Sequence, residues 1–268
     1  NYKIIVVDNG SVQEDYLLLK KNFTEIEVIK SESNLGFTGG NNLGIEYAKK
    51  MHPDYFLLIN NDTIVEPNFI QPLLEVFEKE KNVGIAAPQI NYFYDPQKIW
   101  TAGGKISRLR GSGFAYSDQI ESNLKPYNKD VTFVSGCCML IKKEVFEKIR
   151  LFDENFFLYV EDVDLCYRTT QAGYKILVNH NSKIYHKVSS TTKESLSYLP
   201  LYYVTRNRLY FAKKNFNNIY YLTFVYILLS MMIKSIKWIA TGESKNIQII
   251  RYAFKDFFLG VMGKTNHN

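Results

Sequence analysis

The chain has 268 residues, 46% hydrophobic and 15% aromatic, with a formal net charge of +6 at pH 7. That length holds one large α/β domain with an appendage or two small domains, and the hydrophobic share is that of a globular protein. Three cysteines, two of them adjacent at Cys137-Cys138, exclude a disulfide framework, and no CxxC or Cys/His spacing supports structural zinc.

Tyr2–Val7 is a nearly unbroken apolar run closed by Asp8-Asn9-Gly10-Ser11, the pattern of a buried parallel strand running into a loop, and the chain opens on it without a signal peptide. A carboxylate there can accept a hydrogen bond from a pyrimidine imide or a ribose hydroxyl, although Asp8-Asn9-Gly10-Ser11 taken alone favours a simple turn. Residues 13–22 predict a helix and Glu25–Lys30 a short strand. Asn34-Leu-Gly-Phe-Thr-Gly-Gly-Asn-Asn-Leu-Gly44 then predicts a glycine-rich loop, with a helix over Leu43–Lys50. Its glycines allow close backbone approach, and its asparagines, Asn34 and Asn42 among them, can contact a base or a diphosphate. Gly36, Gly39 and Gly40 do not have the dinucleotide-fingerprint spacing.

Tyr55–Ile59 is a second apolar strand closed by polar residues, Asn60-Asn61-Asp62. An extended backbone puts Asn60 and Asp62 on one side, and their oxygens, with phosphate and water, suit Mg²⁺ or Mn²⁺. Pro67–Lys81 predicts a helix and Val83–Pro88 an extended segment. Strands alternating with helices predict an α/β fold with a mainly parallel, Rossmann-like sheet. Ligands of such sheets bind beyond the carboxyl ends of the strands, where Asp8 and Asp62 both fall.

From Asn91 to Lys129 turn signals such as Gly103-Gly104 and Gly111-Ser-Gly113 predict a loop-rich insert or a hairpin. Strand character returns over Val131–Ile141. An aromatic run then leads to the acidic pair Glu161-Asp162, which opens a helix over Glu161–Gln171 with Gly173 as its stop. Carboxylates in a first turn are favoured in any helix by the macrodipole. The polar clusters at the two strand ends weigh toward a site instead. Tyr174–Val178 and Lys183–Tyr185 are short extended pieces leading to His186, a further metal ligand or a structural histidine.

Ser189–Ser195 reads as a linker, dividing a domain over 1–195 from a tail of two or three helices over 196–268. The tail carries 10 Lys+Arg against 2 Asp+Glu, a net of +8. That composition suits an anionic membrane surface, and no RNP-like, zinc-finger or helix-turn-helix signature points to nucleic acid. Ile219–Ile233 is apolar, but fifteen residues fall short of the roughly 20 that span a bilayer. The run predicts an interfacial helix, or equally on periodicity a helix packed on the domain.

Together Val6-Val-Asp-Asn-Gly-Ser11, Asn34–Gly44, Leu58-Ile-Asn-Asn-Asp-Thr63, Gly136-Cys-Cys-Met-Leu-Ile141 and Phe152–Arg168 resemble glycosyltransferase family 2, with its GT-A nucleotide-binding fold, and especially its rhamnosyltransferase-like bacterial members. The set covers about residues 1–190 in the family's order. The resemblance implies an inverting, metal-dependent transfer from a nucleoside-diphosphate sugar. Asp8 with Asn9, Asn34, Gly36 and Asn42 would hold the donor, and Asp62 with Asn60 the metal. Asp162 would be the general base, or Glu161 in its place. It implies work on a glycan or lipid-linked acceptor in surface polysaccharide synthesis, at the cytoplasmic face of the cell membrane. In the family another strand, loop and helix precede the segment matching Val6-Val-Asp8, so the chain is expected to lack one βα unit of on the order of 30 residues. Two rival readings are a sugar-1-phosphate nucleotidyltransferase on a similar fold and an inactive nucleotide-sugar binding module.

Overall fold

The computed structural model describes residues 1–117, 129–187 and 198–265. In chain order the elements are β1 (Ile5–Asn9), α1 (Gln13–Asn22), β2 (Glu27–Ser31), α2 (Gly36–Lys49), β3 (Tyr55–Ile59), β4 (Thr63–Val65), α3 (Ile70–Lys79), β5 (Val83–Tyr92), β6 (Ile99–Thr101), β7 (Gly104–Ser107) and β8 (Ser112–Ala115). There follow β9 (Lys129–Val131), β10 (Cys138–Lys142), α4 (Lys143–Ile149), α5 (Glu161–Gln171), β11 (Lys175–His186), α6 (Tyr198–Asn215), α7 (Tyr220–Ala240) and α8 (Ser244–Leu259).

The large sheet runs β3-β10-β5-β11-β4, with β6 added to β5 and β9 to β11. Side-chain alternation along its three inner strands builds a core on each face. Ile85, Ala87, Met139, Ile141, Ile176 and Val178 join the larger cluster, under α4, α5 and α6. Their neighbours Ala86, Leu140 and Leu177 point the other way, onto Leu73, Val76 and Phe77 of α3. Covered on both faces, β5 is buried over nearly its whole length, which is why it reads as a continuous apolar run. Pro88 has no N–H to give to that ladder, and the β5–β11 register shifts between Asn179, opposite Pro88, and Lys183, opposite Gln89.

The α/β class is as the sequence predicts, and the sheet is mixed in detail. β5 and β11 are parallel, as are β1 and β2 in their own two-stranded sheet. β10 inserts antiparallel between β3 and β5, and β4 pairs antiparallel with β11. The antiparallel strand leaves β3, β5 and β11 all pointing the same way, so their carboxyl ends still open toward one edge.

Two local expectations change. The predicted glycine-rich loop is the start of α2, which begins at Gly36 with φ +71°. Its glycines bring the helix close to β1: a Cβ on Gly40 would sit 3.0 Å from the Asn9 amide, and one on Gly44 3.0 Å from Val7. The two short pieces before His186 are one strand, β11, bent by the irregularity opposite Pro88–Gln89. The predicted hairpin is β7–β8, paired from Gly104↔Ala115 to Ser107↔Ser112.

The linker at Ser189–Ser195, and with it the division at 195/196, lies outside the described residues. Just beyond it, α6 is not a free tail. Phe211, Ala212 and Phe216 are fully buried in the larger cluster with sheet residues. Helix α7 runs 21 residues, not the fifteen of the apolar run alone, and is long and apolar enough to cross a membrane. Only 17% of its most apolar window is buried.

Candidate active site

Strand pairing assembles the site. In the β4–β11 ladder Thr63 faces His186, so Asp62, one residue before, lies against the imidazole. His186 Nε2 stands 3.1 Å from both Asp62 carboxylate oxygens. The Trp100 ring packs edge-on to the imidazole at 4.5 Å and fixes its plane. Asp62 is exposed and Asn60 half-buried beside it.

On the other side of β3, the pairing Cys138↔Ile59 sets the turn before β10 next to Asn60. The Asn60 N–H donates to the Cys137 carbonyl (2.9 Å), and the Gly136 N–H donates to Asp162 Oδ2 (3.1 Å). This relay of backbone groups brings Asn60 and Asp162 alongside each other across 102 positions of sequence. Gly136 has no room for a side chain, since a Cβ would lie 2.9 Å from the Phe37 ring.

Glu161 and Asp162 open α5 in different settings. Asp162 is half-buried and accepts a second backbone bond, from Val163 N–H at 2.8 Å. Burial raises its carboxyl above the usual range, while the bonds from Gly136 and Val163 pull the other way by favouring the anion. Glu161 is buried at 6% exposure, and its Oε2 has no hydrogen-bond partner. Burial first, and the neighbouring Asp162 second, push it well above the ordinary range.

The backbone leading into this pair is strained. Phe157, Tyr159 and Val160 have φ of 61°, 66° and 73°, a region that costs a non-glycine residue roughly 1–2 kcal/mol. No side chain caps the start of α5. The loop is held instead by two fully buried residues of α6, Arg206 and Asn207. Sequence analysis missed them because Arg206 sits in a basic tail that reads as solvated charge. The only signal was an uninterrupted polar Arg-Asn-Arg between apolar stretches of one helix.

At the end of β1, Asp8 is buried; its Oδ1 accepts the Ser11 N–H at 3.0 Å and its Oδ2 has no partner. The amides expected beside it are engaged within the chain. Asn9 accepts from Leu35 N–H and donates to Gly36 O, both at 2.9 Å. Asn34 accepts from Gly36 N–H at 2.8 Å. Asn42 locks α2 to the 152–154 segment through Phe152 and Glu154. Gly36 lies against Phe157, where a Cβ would come 2.3 Å from the carbonyl oxygen. These residues therefore shape the wall of the site, and Asp8 is the one with an open acceptor.

A carboxylate and an imidazole side by side at Asp62 and His186, with Asn60 close by, form a donor set that fits a divalent cation. Among the described residues no group of three or more His, Cys, Asp or Glu side chains converges, so further ligands would come from a diphosphate and water. The three cysteines are buried, and burial pushes the Cys137 thiol up to about 12, which leaves it inert.

The sequence pattern described as glycosyl transferase family 2 matches residues 1–150. A hexosyltransferase of low-salt glycan biosynthesis from Haloferax volcanii is 30% identical over 184 residues, 65% of this chain and 55% of that protein. This chain thus spans about half of that relative's length. An N-acetylglucosaminyl-diphospho-decaprenol L-rhamnosyltransferase of Mycobacterium tuberculosis is 25% identical over 218 residues, 73% of this chain and 70% of the relative. A dTDP-rhamnosyl transferase of Shigella flexneri is 25% identical over 225 residues, 80% of this chain and 72% of its own. Among solved structures, GalNAc-T7 with UDP, GalNAc and Mn²⁺ superposes with a TM-score of 0.56 at 14% identity, over 84% of this chain and 48% of that one; it shares the fold.

Proposed function

The chain belongs to glycosyl transferase family 2, and we propose that it transfers a hexose from a nucleoside-diphosphate sugar to a hydroxyl of a glycan or lipid-linked acceptor, with inversion at the anomeric carbon. The observation that carries this reading is the backbone relay Asn60–Cys137 and Gly136–Asp162, which sets a cation-type donor pair and an acidic pair side by side. The buried open oxygens of Asp8 and Glu161 support it, because unsatisfied buried acceptors collect at sites that complete themselves with a ligand.

Asp162 acts as general base. It is the more exposed member of the pair, and its two backbone donors favour the anion, the form that takes up a proton. Glu161, buried with an open oxygen and pushed well above the ordinary carboxyl range by that burial, orients its neighbour or the acceptor. The acceptor hydroxyl gives its proton to Asp162 as its oxygen bonds the anomeric carbon. The bond from that carbon to the diphosphate oxygen breaks, and the electron pair leaves with the nucleoside diphosphate. Asp8 holds the nucleotide. Asp62, His186 and Asn60 would hold Mg²⁺ or Mn²⁺, which when bound neutralises charge on the leaving diphosphate. Rhamnose is the first donor sugar to test, since relatives carry that activity in their names.

The chain works at the inner face of the cell membrane in surface-polysaccharide synthesis, resting α7 on the bilayer. Leu222, Val225, Leu229, Ile233 and Ile236 leave an apolar stripe exposed along α7, beside exposed Lys234, Lys237, Lys245 and Arg251. The opposite side, through Thr223, Ile227 and Met231, packs on the protein, which favours lying on the surface over spanning it. Product formation from a panel of nucleoside-diphosphate sugars that includes dTDP-rhamnose, with a lipid-diphosphate acceptor, tests the reading. Release of nucleoside diphosphate with no glycosylated product from any donor in the panel would count against it.

A further inference from the structure

We propose that Arg206 and Asn207 are positioning residues for the transfer, holding the segment Phe157–Val160, in which Phe157, Tyr159 and Val160 are left-handed, so that it aims Glu161 and Asp162 into the site. The inference rests on the acidic pair being the catalytic one. Asn207 Nδ2 donates to the carbonyls of Phe156 (2.9 Å), Leu158 (2.8 Å) and Tyr159 (2.8 Å). Arg206 reaches the Asn155 and Phe156 carbonyls at 3.3 Å each and the Gly263 carbonyl at 2.9 Å. Its Nε donates to Asn207 Oδ1 at 3.0 Å, so the guanidinium in turn orients the amide.

Helix α5 starts from a left-handed residue, Val160, and three non-glycine residues in a row of four take positive φ directly before the acids. Such a conformation persists only where the surroundings over-determine it, and it gathers at functional sites. The over-determination comes from α6 on one side and from α2 on the other, where the Thr38 N–H meets the Phe157 carbonyl at 3.3 Å. A fully buried guanidinium facing carbonyl oxygens, with the Tyr203 ring beneath it at 4.9 Å, is costly to maintain for packing alone. Its placement on the one strained loop that precedes the acidic pair gives it a purpose in the reaction.

The test is Asn207→Asp, which keeps the shape and the acceptor for Arg206 Nε but removes the three Asn207 amide bonds to the Phe156, Leu158 and Tyr159 carbonyls. Turnover is measured with dTDP-rhamnose or whichever donor of the panel is used, normalised to the fraction of protein that binds nucleoside diphosphate in calorimetry. Turnover is expected to fall about 100-fold, the scale set by roughly 1 Å of misplacement, with diphosphate affinity within threefold of the parent. Arg206→Lys, which keeps the charge and loses the fork, is expected to show the same split and serves if Asn207→Asp does not fold. A purely structural role would lower the binding-competent fraction and leave turnover per competent molecule unchanged; that result overturns the proposal. Asp162→Asn is run alongside. If it is inactive while both α6 variants turn over normally, positioning alone fails; if it is fully active, the catalytic reading fails with it.

Discussion

His186 Nε2 stands 3.1 Å from both carboxylate oxygens of Asp62, although 124 positions separate the two residues. Only the antiparallel pairing of β4 with the last turnless residues of β11 makes them neighbours, and it does so at the same edge as the acidic pair. A donor pair of this kind holds a cation weakly by itself and much better when diphosphate oxygens complete the shell.

Nucleoside diphosphate binding is therefore expected to weaken by about tenfold or more in chelator, a loss of at least about 1.4 kcal/mol. Asp62→Ala should reproduce most of that loss, and His186→Ala part of it. Calorimetric titration with and without Mg²⁺ or Mn²⁺ measures both. Equal affinities in every case would remove the cation from the account.

Glu161 gives a pH signature. Burial raises its pKa in the fold, so the native state holds the proton more tightly than the unfolded chain, and this group's stabilisation is complete only below the unfolded value near 4.5. Stability is lost as pH rises from there to the folded pKa. Glu161→Gln does not titrate, so it should melt higher than the parent at pH 7–8 and converge with it near pH 4. A variant less stable than the parent at pH 8 would mean that the carboxylate is satisfied in the fold after all.

The junction of α6 with the sheet is open to a stability test. Phe211 is fully buried among core residues and meets Tyr167 and Phe216 edge-on, at 5.6 and 5.0 Å. Phe211→Ala should cost about 3–5 kcal/mol in urea unfolding of the whole protein. A loss below about 1 kcal/mol would fit a helix that merely rests on the sheet.

Membrane contact is testable on α7 alone. Leu229 and Ile233 are 53% and 70% exposed, so Leu229→Glu with Ile233→Glu should leave the melting point unchanged. The pair of changes should release the protein from anionic liposomes at low salt, where each engaged basic residue contributes about 1 kcal/mol. Arg206 is buried and Lys214 is paired with Asp153 and Asp164, so fewer charges than the tail's net of +8 face outward. Unaltered liposome binding by the double variant would move the contact elsewhere.

What the sequence showed and what it hid divide along physical lines. The strand Tyr55–Ile59 and the helix Glu161–Gln171 were legible to the residue, because a closed apolar run and an acidic start with a glycine stop are local signals. The strand directions of β10 and β4 were not, since antiparallel insertion between distant strands leaves no mark in either segment. The glycines of 36–44 suggested a ligand loop, yet small side chains serve equally to seat a helix against a strand, and only the position of Asn9 and Val7 decides. The site acids were recognisable by type, while their convergence depends on strand register. The buried role of Arg206 and Asn207 was hidden because a charge in a basic tail looks solvated until its partners, fifty residues away, are placed.

The account stands most directly on Asp162. Single-turnover transfer by Asp162→Asn, with donor saturating and acceptor present, should be slower by about 10²–10⁴, the usual share of a general base, while nucleoside diphosphate affinity stays within threefold. An Asp162→Asn protein that keeps most of its turnover, while Glu161→Gln loses it, would contradict the assignment and move the base by one residue.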